Sequence, residues 1–223
     1  MVQPKPVVKI ESAEGEIFWS YGKQFVSEKR DNIEAIVAYE KQRGTDLIFD
    51  VEIINNSSDT VLICPESFHY ITDKLKSSDS IKKVFAYDPE VRLFNIDKAL
   101  SVQHAEKINS NNTTFFEGAL QFAVDVSPKT DEEREENRMR KEDREIRQDE
   151  AKEFAVSHIN SLNGSRRYWA NEVLRKTTLV PGYSVYGKVF IRRNIDAKKY
   201  LLNIPIGDKV YDFRYNQKVV YPE

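Results

Sequence analysis

The feature that most constrains the fold is a block of alternating charges inside a chain whose other segments mostly alternate as strands do. Between Lys129 and Glu153, 19 of 25 residues are charged, 11 acidic and 8 basic. A disordered acidic tail carries one sign, whereas acids placed three or four residues before bases stabilise a helix. Asp149 and Lys152 are one such pair. The block therefore predicts a formed helix between regions of strand.

The predicted long charged helix covers residues 130–162, about 50 Å at 1.5 Å per residue. Thr130 and Glu133 have the spacing of a capping box, in which each side chain bonds the other residue's backbone N–H. Asn163–Gly164 suits a helix C-terminus, because glycine adopts positive φ freely. The next segment, from Ser165, is predicted to form a second, separate helix.

Apolar residues are distributed unevenly along the predicted helix. Before Glu150 the apolar side chains are those of Met139 and Ile146. After Glu150 a stripe at helical spacing follows, comprising Ala151, Phe154, Ala155, His158, Ile159 and Leu162. This distribution predicts that the charged half stands in solvent and that the later half packs against the rest of the protein. His158 is then expected to be a satisfied packing residue.

The flanking segments alternate with the period of two that is typical of strands with one buried face. The pattern is clearest in DLIFDVEII and YSVYGKVFIRR, and YLLNIPIGDKVYDFRY predicts a closing hairpin. The turn formers NNSSD predict another hairpin, between VEII and TVLIC. We therefore predict an α+β fold in one domain, 1–223, whose β-sandwich strands lie in 1–87 and 177–223.

Residues 88–176 are predicted to form a helical insertion between these two strand sets. Asp88 can cap a helix, and Pro89 and Glu90 suit its first turn. This first helix is expected to end near Ile108. The pattern of residues 115–126 fits either a helix or a buried strand, and a helix is weakly favoured.

Some longer motifs resemble those of exported bacterial proteins of uncharacterised role, which contain an immunoglobulin-like antiparallel β-sandwich. The motifs are DLIFDVEIINNSSDTVLICPESFHYI, YDPE and LRKTTLVPGYSVYGKVFI. The positions that carry the resemblance are Asp88, Pro89, Glu90, Arg175, Lys176, Thr177, Thr178, Leu179, Pro181, Gly182, Gly187 and Val189. The resemblance implies an immunoglobulin-like sandwich with a helical insertion, and export to the periplasm or cell surface, often as a lipoprotein. It implies no catalytic or binding residues.

The N-terminal residues leave a cytoplasmic location as an alternative to export. The opening MVQPKPVVK has no apolar signal segment, so the chain is either cytoplasmic or preceded by an export signal that is removed. A lipid anchor would require such a signal before Met1. No run of 18 apolar residues occurs, so no transmembrane segment is expected.

Residue types that carry chemistry are sparse. The net charge of -2 argues against nucleic acid as a partner. The single cysteine, Cys64, lies in an apolar run and is expected to be inert. His69, His104 and His158 are far apart, so no metal site is expected. No phosphate- or dinucleotide-binding motif occurs. We predict no catalytic, cofactor-binding or metal-binding residues.

Two aromatic clusters are candidates for recognition, IFWSYG and RRYWANE. Tryptophan, tyrosine and arginine are enriched at binding hot spots. The possible binding surface comprises Arg166, Arg167, Tyr168, Trp169, Met139 and Ile146. The alternative, favoured here, is that Trp19 and Trp169 fill the seam between sheet and helices.

The predicted function is a non-enzymatic binding, assembly or structural role in the bacterial cell envelope. A protein partner or a second copy would meet the helical insertion. The alternative is an enzyme or inhibitor whose site is assembled from residues distant in sequence.

Overall fold

The computed structural model describes residues 7–72, 83–106 and 131–220. Within these ranges the chain forms two five-stranded antiparallel sheets, a two-stranded sheet and two α-helices, consistent with an α+β sandwich. The cap at Thr130, the end of the first helix near Ile108 and the ambiguous segment 115–126 lie outside the described residues.

The strands fall into three sheets. The first sheet, in spatial order, comprises β1 (Val7–Ser12), β12 (Lys209–Val220), β11 (Lys199–Ile206), β7 (His69–Thr72) and β8 (Lys83–Phe85). The second comprises β10 (Tyr183–Arg192), β5 (Asp46–Asn55), β4 (Ile33–Arg43), β3 (Lys23–Arg30) and β2 (Glu16–Ser20). The two-stranded sheet pairs β6 (Val61–Ile63) with β9 (Thr177–Leu179), and a 3-10 turn, Pro65–Ser67, follows β6.

One hydrophobic core lies between the two large sheets. Its buried side chains come from both strand sets, those before the helices and those after them. The rings of Phe49 on β5 and Tyr215 on β12 meet across it, with their centroids 5.4 Å apart. The alternation in β12 is confirmed, because Tyr211, Phe213 and Tyr215 are all buried. The closing hairpin is confirmed as well, since β11 pairs with β12 from Ile206↔Lys209 onward.

Tyrosine hydroxyls connect the two large sheets at several places. Tyr211 on β12 donates to the backbone carbonyl oxygens of Arg30, at 3.1 Å, and Ile33, at 3.3 Å, at the β3–β4 turn. Tyr70 on β7 donates to the carbonyl oxygen of Arg192 on β10, at 2.7 Å. Each bond satisfies a polar group inside an apolar core, where an unpaired group is costly.

The hairpin predicted at NNSSD is wrong. The turn itself is present, since Asn55 Oδ1 accepts hydrogen bonds from the backbone N–H and the hydroxyl of Ser57. However, β5 already has a neighbour on each side, β4 and β10. No edge of β5 remains for β6, which pairs instead with β9, more than a hundred residues later.

The first helix, α1, is helical over residues 89–106. Its predicted start is confirmed, because Asp88 Oδ1 accepts hydrogen bonds from the backbone N–H groups of Glu90, at 2.8 Å, and Val91, at 3.2 Å. These bonds satisfy two of the N–H groups that the first turn leaves without helical partners.

The second helix, α2, is longer than predicted and unbroken over Asp131–Asn171, 41 residues. The separate helix predicted from Ser165 is therefore wrong, as is the helix end at Asn163–Gly164. A helical glycine costs only about 1 kcal/mol relative to alanine, less than a second pair of helix ends with unsatisfied backbone groups. The predicted ion pair of Asp149 with Lys152 is present, with 3.0 Å between Oδ1 and Nζ.

The apolar stripe on α2 is not a core face. Phe154 is 75% exposed and the other stripe residues are exposed or half-buried. His158 is exposed and lies beside Phe154, with ring centroids 6.3 Å apart. The prediction that Phe154 and His158 pack into the protein is therefore wrong. Helical spacing indicates that two residues share a face, and a buried partner for that face must come from elsewhere.

Just after α2, the chain runs alongside β10. The backbone N–H of Lys188 donates to the carbonyl of Glu172 at 2.8 Å, and the N–H of Leu174 donates to the carbonyl of Lys188 at 3.0 Å. Gly187 makes this approach possible, because a Cβ there would lie 2.5 Å from the Leu174 backbone nitrogen.

Two compact units are distinguished within the chain. The first comprises Met1–Arg92 and Trp169–Glu223, and the second comprises Leu93–Tyr168. The first unit contains the two large sheets and is called the β unit below. Trp169 belongs to it, and its ring lies 4.9 Å from that of Phe190 on β10.

Candidate functional site

The hairpin of β2 and β3 exposes an unusual number of aromatic side chains. Trp19 pairs with Gln24 across the hairpin, and Ile17 pairs with Val26, which is buried in the core. Residues two apart on a strand share a face, so Trp19 lies on the side of the hairpin that leads into the core. It is nevertheless 70% exposed. The expectation that Trp19 fills a seam between sheet and helices is wrong.

The tip of this hairpin has an unfavourable residue for its turn. Tyr21 has φ 48° and Gly22 has φ 74°, the conformation of a two-residue turn that favours Asn-Gly. A tyrosine with positive φ is uncommon, and the Tyr21 side chain is fully exposed. Such departures from local preference occur most often at functional sites.

A pocket of about 310 Å³ opens beside this hairpin. Trp19, Tyr39 and Tyr215 provide its aromatic lining. Its polar lining comes from the end of β1, from β3 and from β4, and comprises Lys9, Glu11, Ser12, Lys23, Gln24 and Glu40. The Gln24 side-chain oxygen accepts a hydrogen bond from the backbone N–H of Ser12, at 2.9 Å. This bond fixes the Gln24 amide and leaves its NH₂ group as the donor for a ligand.

Tyr215 contributes to the lining of this pocket, but its hydroxyl is buried. The residue is only 1% exposed, and its hydroxyl has no hydrogen-bond partner among the described residues. Burial raises the pKa of Tyr215 well above its ordinary value, so the group stays a neutral hydroxyl that can both donate and accept. A buried hydroxyl without a partner costs about 1–3 kcal/mol.

Beyond the pocket, Lys23 and Glu40 take part in a cluster of ion pairs. Its centre is Asp50, which is 2% exposed. Asp50 lies 2.5 Å from Lys23 Nζ and 3.1 Å from Lys188 Nζ, and it accepts a hydrogen bond from the Tyr186 hydroxyl at 2.9 Å. Lys188 Nζ also lies 3.2 Å from Glu40 Oε2. The cluster connects β3, β4, β5 and β10.

The pKa shifts of the residues in this cluster favour a structural role. Burial alone would raise the pKa of Asp50, but hydrogen bonds from Lys23, Lys188 and Tyr186 outweigh burial and lower it. Burial alone would lower the pKa of Lys188, but its bonds to Asp50 and Glu40 raise it. Burial, with the Asp50 bond, raises the pKa of Tyr186 to about 12. These groups keep their neutral-pH charge states, whereas a general acid or base works best with a pKa near 7.

A larger pocket, about 530 Å³, lies over the end of β7, the start of β11 and the middle of β12. Its lining includes Glu14 and Arg214, which form an ion pair with each other. Tyr215 lines this pocket too, but no exposed aromatic ring does. The pocket beside Trp19 is therefore the better candidate for recognition.

The residues predicted as a binding surface are not brought together. Met139 and Ile146 are exposed on α2, about 40 Å and about 30 Å along the helix from Arg166 at 1.5 Å per residue. Arg166 forms an ion pair with Asp97, with 2.6 Å between Nε and Oδ1. Arg167 is exposed and Tyr168 is half-buried. A partner for Met139 and Ile146 stays a prediction.

Trp169, the tryptophan of the predicted binding surface, is half-buried against Phe190. The Arg92 guanidinium also lies over its ring, 5.8 Å from the centroid. The favoured interpretation, that this tryptophan packs between elements, agrees with this position. Sequence reasoning placed its emphasis on Trp169, whereas the structure directs attention to Trp19.

A metal site and a membrane-spanning helix are both absent from the described residues. Within residues 7–72, 83–106 and 131–220, no group of three His, Cys, Asp or Glu side chains is placed to hold a metal ion. Over the same part of the chain, no helix combines the length and the apolar character that crossing a membrane requires. Comparison with known proteins found no matching family model, curated protein or solved structure.

Proposed function

We propose that this chain is a non-enzymatic binding module that holds a small ligand in the pocket beside Trp19. The observation that carries the proposal is a largely exposed indole in the lining of a pocket whose other lining side chains are aromatic or polar. Tryptophan is enriched where binding energy is concentrated. A few placed polar groups in an aromatic pocket are typical of small-molecule sites.

The competing function, an enzyme with a site assembled from distant residues, has less support. The cluster around Asp50 does bring distant residues together. Its pKa shifts, however, hold its groups in their ordinary charge states. Such a cluster is suited to joining strands.

Substituting Trp19→Ala should weaken ligand binding about tenfold or more, because the ring forms a wall of the pocket. Ligand-observed NMR with a diverse library of small polar compounds, run on both proteins, measures the effect. The change in unfolding free energy should stay within about 0.5 kcal/mol, since the ring is largely exposed.

The matched control is Trp169→Phe, which changes the other tryptophan of the chain and keeps an aromatic ring against Phe190. It should leave binding unchanged. A library in which no compound binds the unaltered chain would overturn the proposed function. Equal binding to the unaltered chain and to Trp19→Ala would also overturn it.

We further propose that the module acts in the bacterial cell envelope after export, and that its sandwich is of the immunoglobulin-like class. The support is the similarity of motifs such as VPGYSVYGKVF to exported proteins. Expression of the complete gene in a bacterium, followed by fractionation, should place the protein in the periplasmic or membrane fraction. Recovery only with the cytoplasmic marker would contradict export.

A further inference from the structure

We infer that this chain forms a two-fold dimer in which strand β2 pairs antiparallel with β2 of a second copy. The interaction surface is the free edge of the second sheet. The inference goes beyond the proposed function, because the contacts lie along the outer edge of β2 rather than inside the pocket. Three observations support it: an unprotected sheet edge, an outward row of backbone groups, and a strand sequence that complements itself.

The edge at β2 lacks the protection that the other edges of the two large sheets have. Edge strands are usually guarded by charged side chains, by shortness or by a covering segment. Within the described residues, β1 carries the ion pair of Lys9 with Glu11, β8 has only three residues, and residues 172–174 run alongside β10. β2 instead presents three consecutive apolar side chains, residues 17–19, and all three are exposed.

The turn at the hairpin tip determines which backbone groups of β2 face outward. A two-residue turn is closed by a hydrogen-bonded pair, here Ser20 and Lys23. Hydrogen-bonded and non-hydrogen-bonded pairs alternate along an antiparallel ladder. Phe18 therefore bonds to β3, whereas the N–H and C=O groups of Ile17 and Trp19 point to the free edge. These four groups have no partner among the described residues.

The sequence of β2 complements itself about Phe18. In an antiparallel pair centred there, Ile17 lies opposite the partner's Trp19, and Trp19 lies opposite the partner's Ile17. The outward groups of these residues then form four backbone hydrogen bonds, with none left unpaired. A β-branched residue opposite an aromatic one is a favourable cross-strand pair, and Glu16 faces a serine rather than a like charge. Backbone bonding alone admits any strand, and the side-chain match favours a second copy.

The outer face of the hairpin adds an aromatic contact to this pairing. The rings of Phe18 and Phe25 are stacked, with their centroids 5.3 Å apart. Phe18 would lie directly opposite the partner's Phe18, in a non-hydrogen-bonded pair with about 4.5 Å between Cα atoms. Four phenylalanine rings would then form a row across the joined sheets. Two sheets of five strands would become one sheet of ten.

The first test is the molar mass of the full chain, measured by sedimentation velocity from about 5 to about 500 µM. A single-strand interface is small, so we expect a dissociation constant of about 10–100 µM. The mass should rise from 26.0 kDa toward twice that value over this range. A mass of 26.0 kDa at every concentration would overturn the inference. A monomer whose hairpin amides shift with a peptide of alternating threonine and valine would instead assign the edge to a strand of another protein.

Ile17→Pro tests the backbone edge. Proline is tolerated in an edge strand where the N–H faces solvent, so β2 should still pair with β3. The change removes one outward N–H from each copy, and the dissociation constant should rise at least about tenfold. The matched control, Ile17→Val, keeps both the N–H and a β-branched side chain, and should change the constant by less than about twofold.

Phe18→Lys is a second variant that keeps every backbone group of β2. It places two lysines opposite each other across the two-fold axis, so the dimer should weaken at least about tenfold. Thermal melts at low concentration show whether each variant is folded. Self-association of Phe18→Lys as strong as that of the unaltered chain would show that β2 is not the interface.

A disulfide trap tests the register. In a Cys64→Ser background, which removes the chain's single cysteine, Phe18→Cys places two thiols opposite each other at a separation that a disulfide spans. Mild oxidation should join two copies. The matched control is Glu16→Cys, on the same face, whose two thiols would lie about 13 Å apart, four residues at 3.3 Å each. Equal cross-linking of both cysteine variants would overturn the pairing centred on Phe18.

Discussion

Asp50→Asn is expected to lower the free energy of unfolding by about 3 kcal/mol at neutral pH. Removing one partner of a buried ion pair costs about 3–5 kcal/mol, because the other charge stays buried and unpaired. Lys188 keeps Glu40 as a partner, so the lower end of that range applies. Urea denaturation followed by tryptophan fluorescence measures this loss of unfolding free energy. Both proteins carry Trp19→Phe, so that the fluorescence comes from Trp169 and reports on its contact with Phe190 in the β unit.

The destabilisation caused by Asp50→Asn should become smaller as the pH falls. Because the pKa of Asp50 is lowered in the folded protein, the ionised carboxylate stabilises the fold. This stabilisation is fully present above the pKa of Asp50 in the unfolded chain, about 4. The contribution is lost as the pH falls through the lower folded pKa. The difference between Asp50→Asn and the unaltered chain should therefore narrow in acid.

The matched control for Asp50 is Glu52→Gln, two residues along the same strand and on the same face. Glu52→Gln should change the free energy of unfolding by no more than about 0.5 kcal/mol. The assignment of Asp50 as the centre of the cluster would be wrong if both variants unfold alike. A difference that is constant from neutral to acid pH would also contradict it.

Gly187→Ala is expected to destabilise the β unit by about 3 kcal/mol, the upper end for an overpacked site. The new Cβ would lie 2.5 Å from the Leu174 nitrogen and 2.7 Å from its Cα. These are backbone atoms, so a rotamer change cannot relieve the contact. The segment after α2 would have to move away from β10 and lose its bonds to Lys188. Thermal melts should show a fall of about 6–12 °C.

Gly164→Ala is the matched control, because the Cβ it would add meets no atom within 4 Å other than the nearby backbone of its own helix. Gly164 lies inside α2, where alanine is favoured by about 0.5–1 kcal/mol. This variant should raise helix stability in far-UV circular dichroism and leave the Trp169 signal unchanged. A Gly187→Ala protein as stable as the unaltered chain would show that residues 172–174 do not lie against β10 as described.

Local features of the fold were predictable where neighbouring residues determine them. Asp88 caps α1 because the N–H groups it bonds are two and three residues away. The alternation of Tyr211, Phe213 and Tyr215 follows from the period of any strand with one buried face. The charge block forms a helix because its acids and bases are spaced to meet on a helix.

Features that depend on distant partners were not predictable in the same way. β6 pairs with β9 because both edges of β5 are already occupied. The stripe at Phe154 has helical spacing, yet its ring stays exposed. The sequence also gives no sign that Asp50 is buried, because its partners Lys23 and Lys188 lie on other strands.

The candidate site shows the same division. The sequence by itself determined that IFWSYG is an aromatic cluster within a region of strands, and it determined the strands and the charged helix, because these follow from spacing and local hydrogen bonding. Only the tertiary structure decided that Trp19 stays exposed while Trp169 packs against Phe190. It alone places Tyr215, from the last strand, and Trp19, from the second, in the lining of one pocket. Burial and pairing depend on contacts between residues that are distant in sequence, and the spacing of residues along the chain does not determine those contacts.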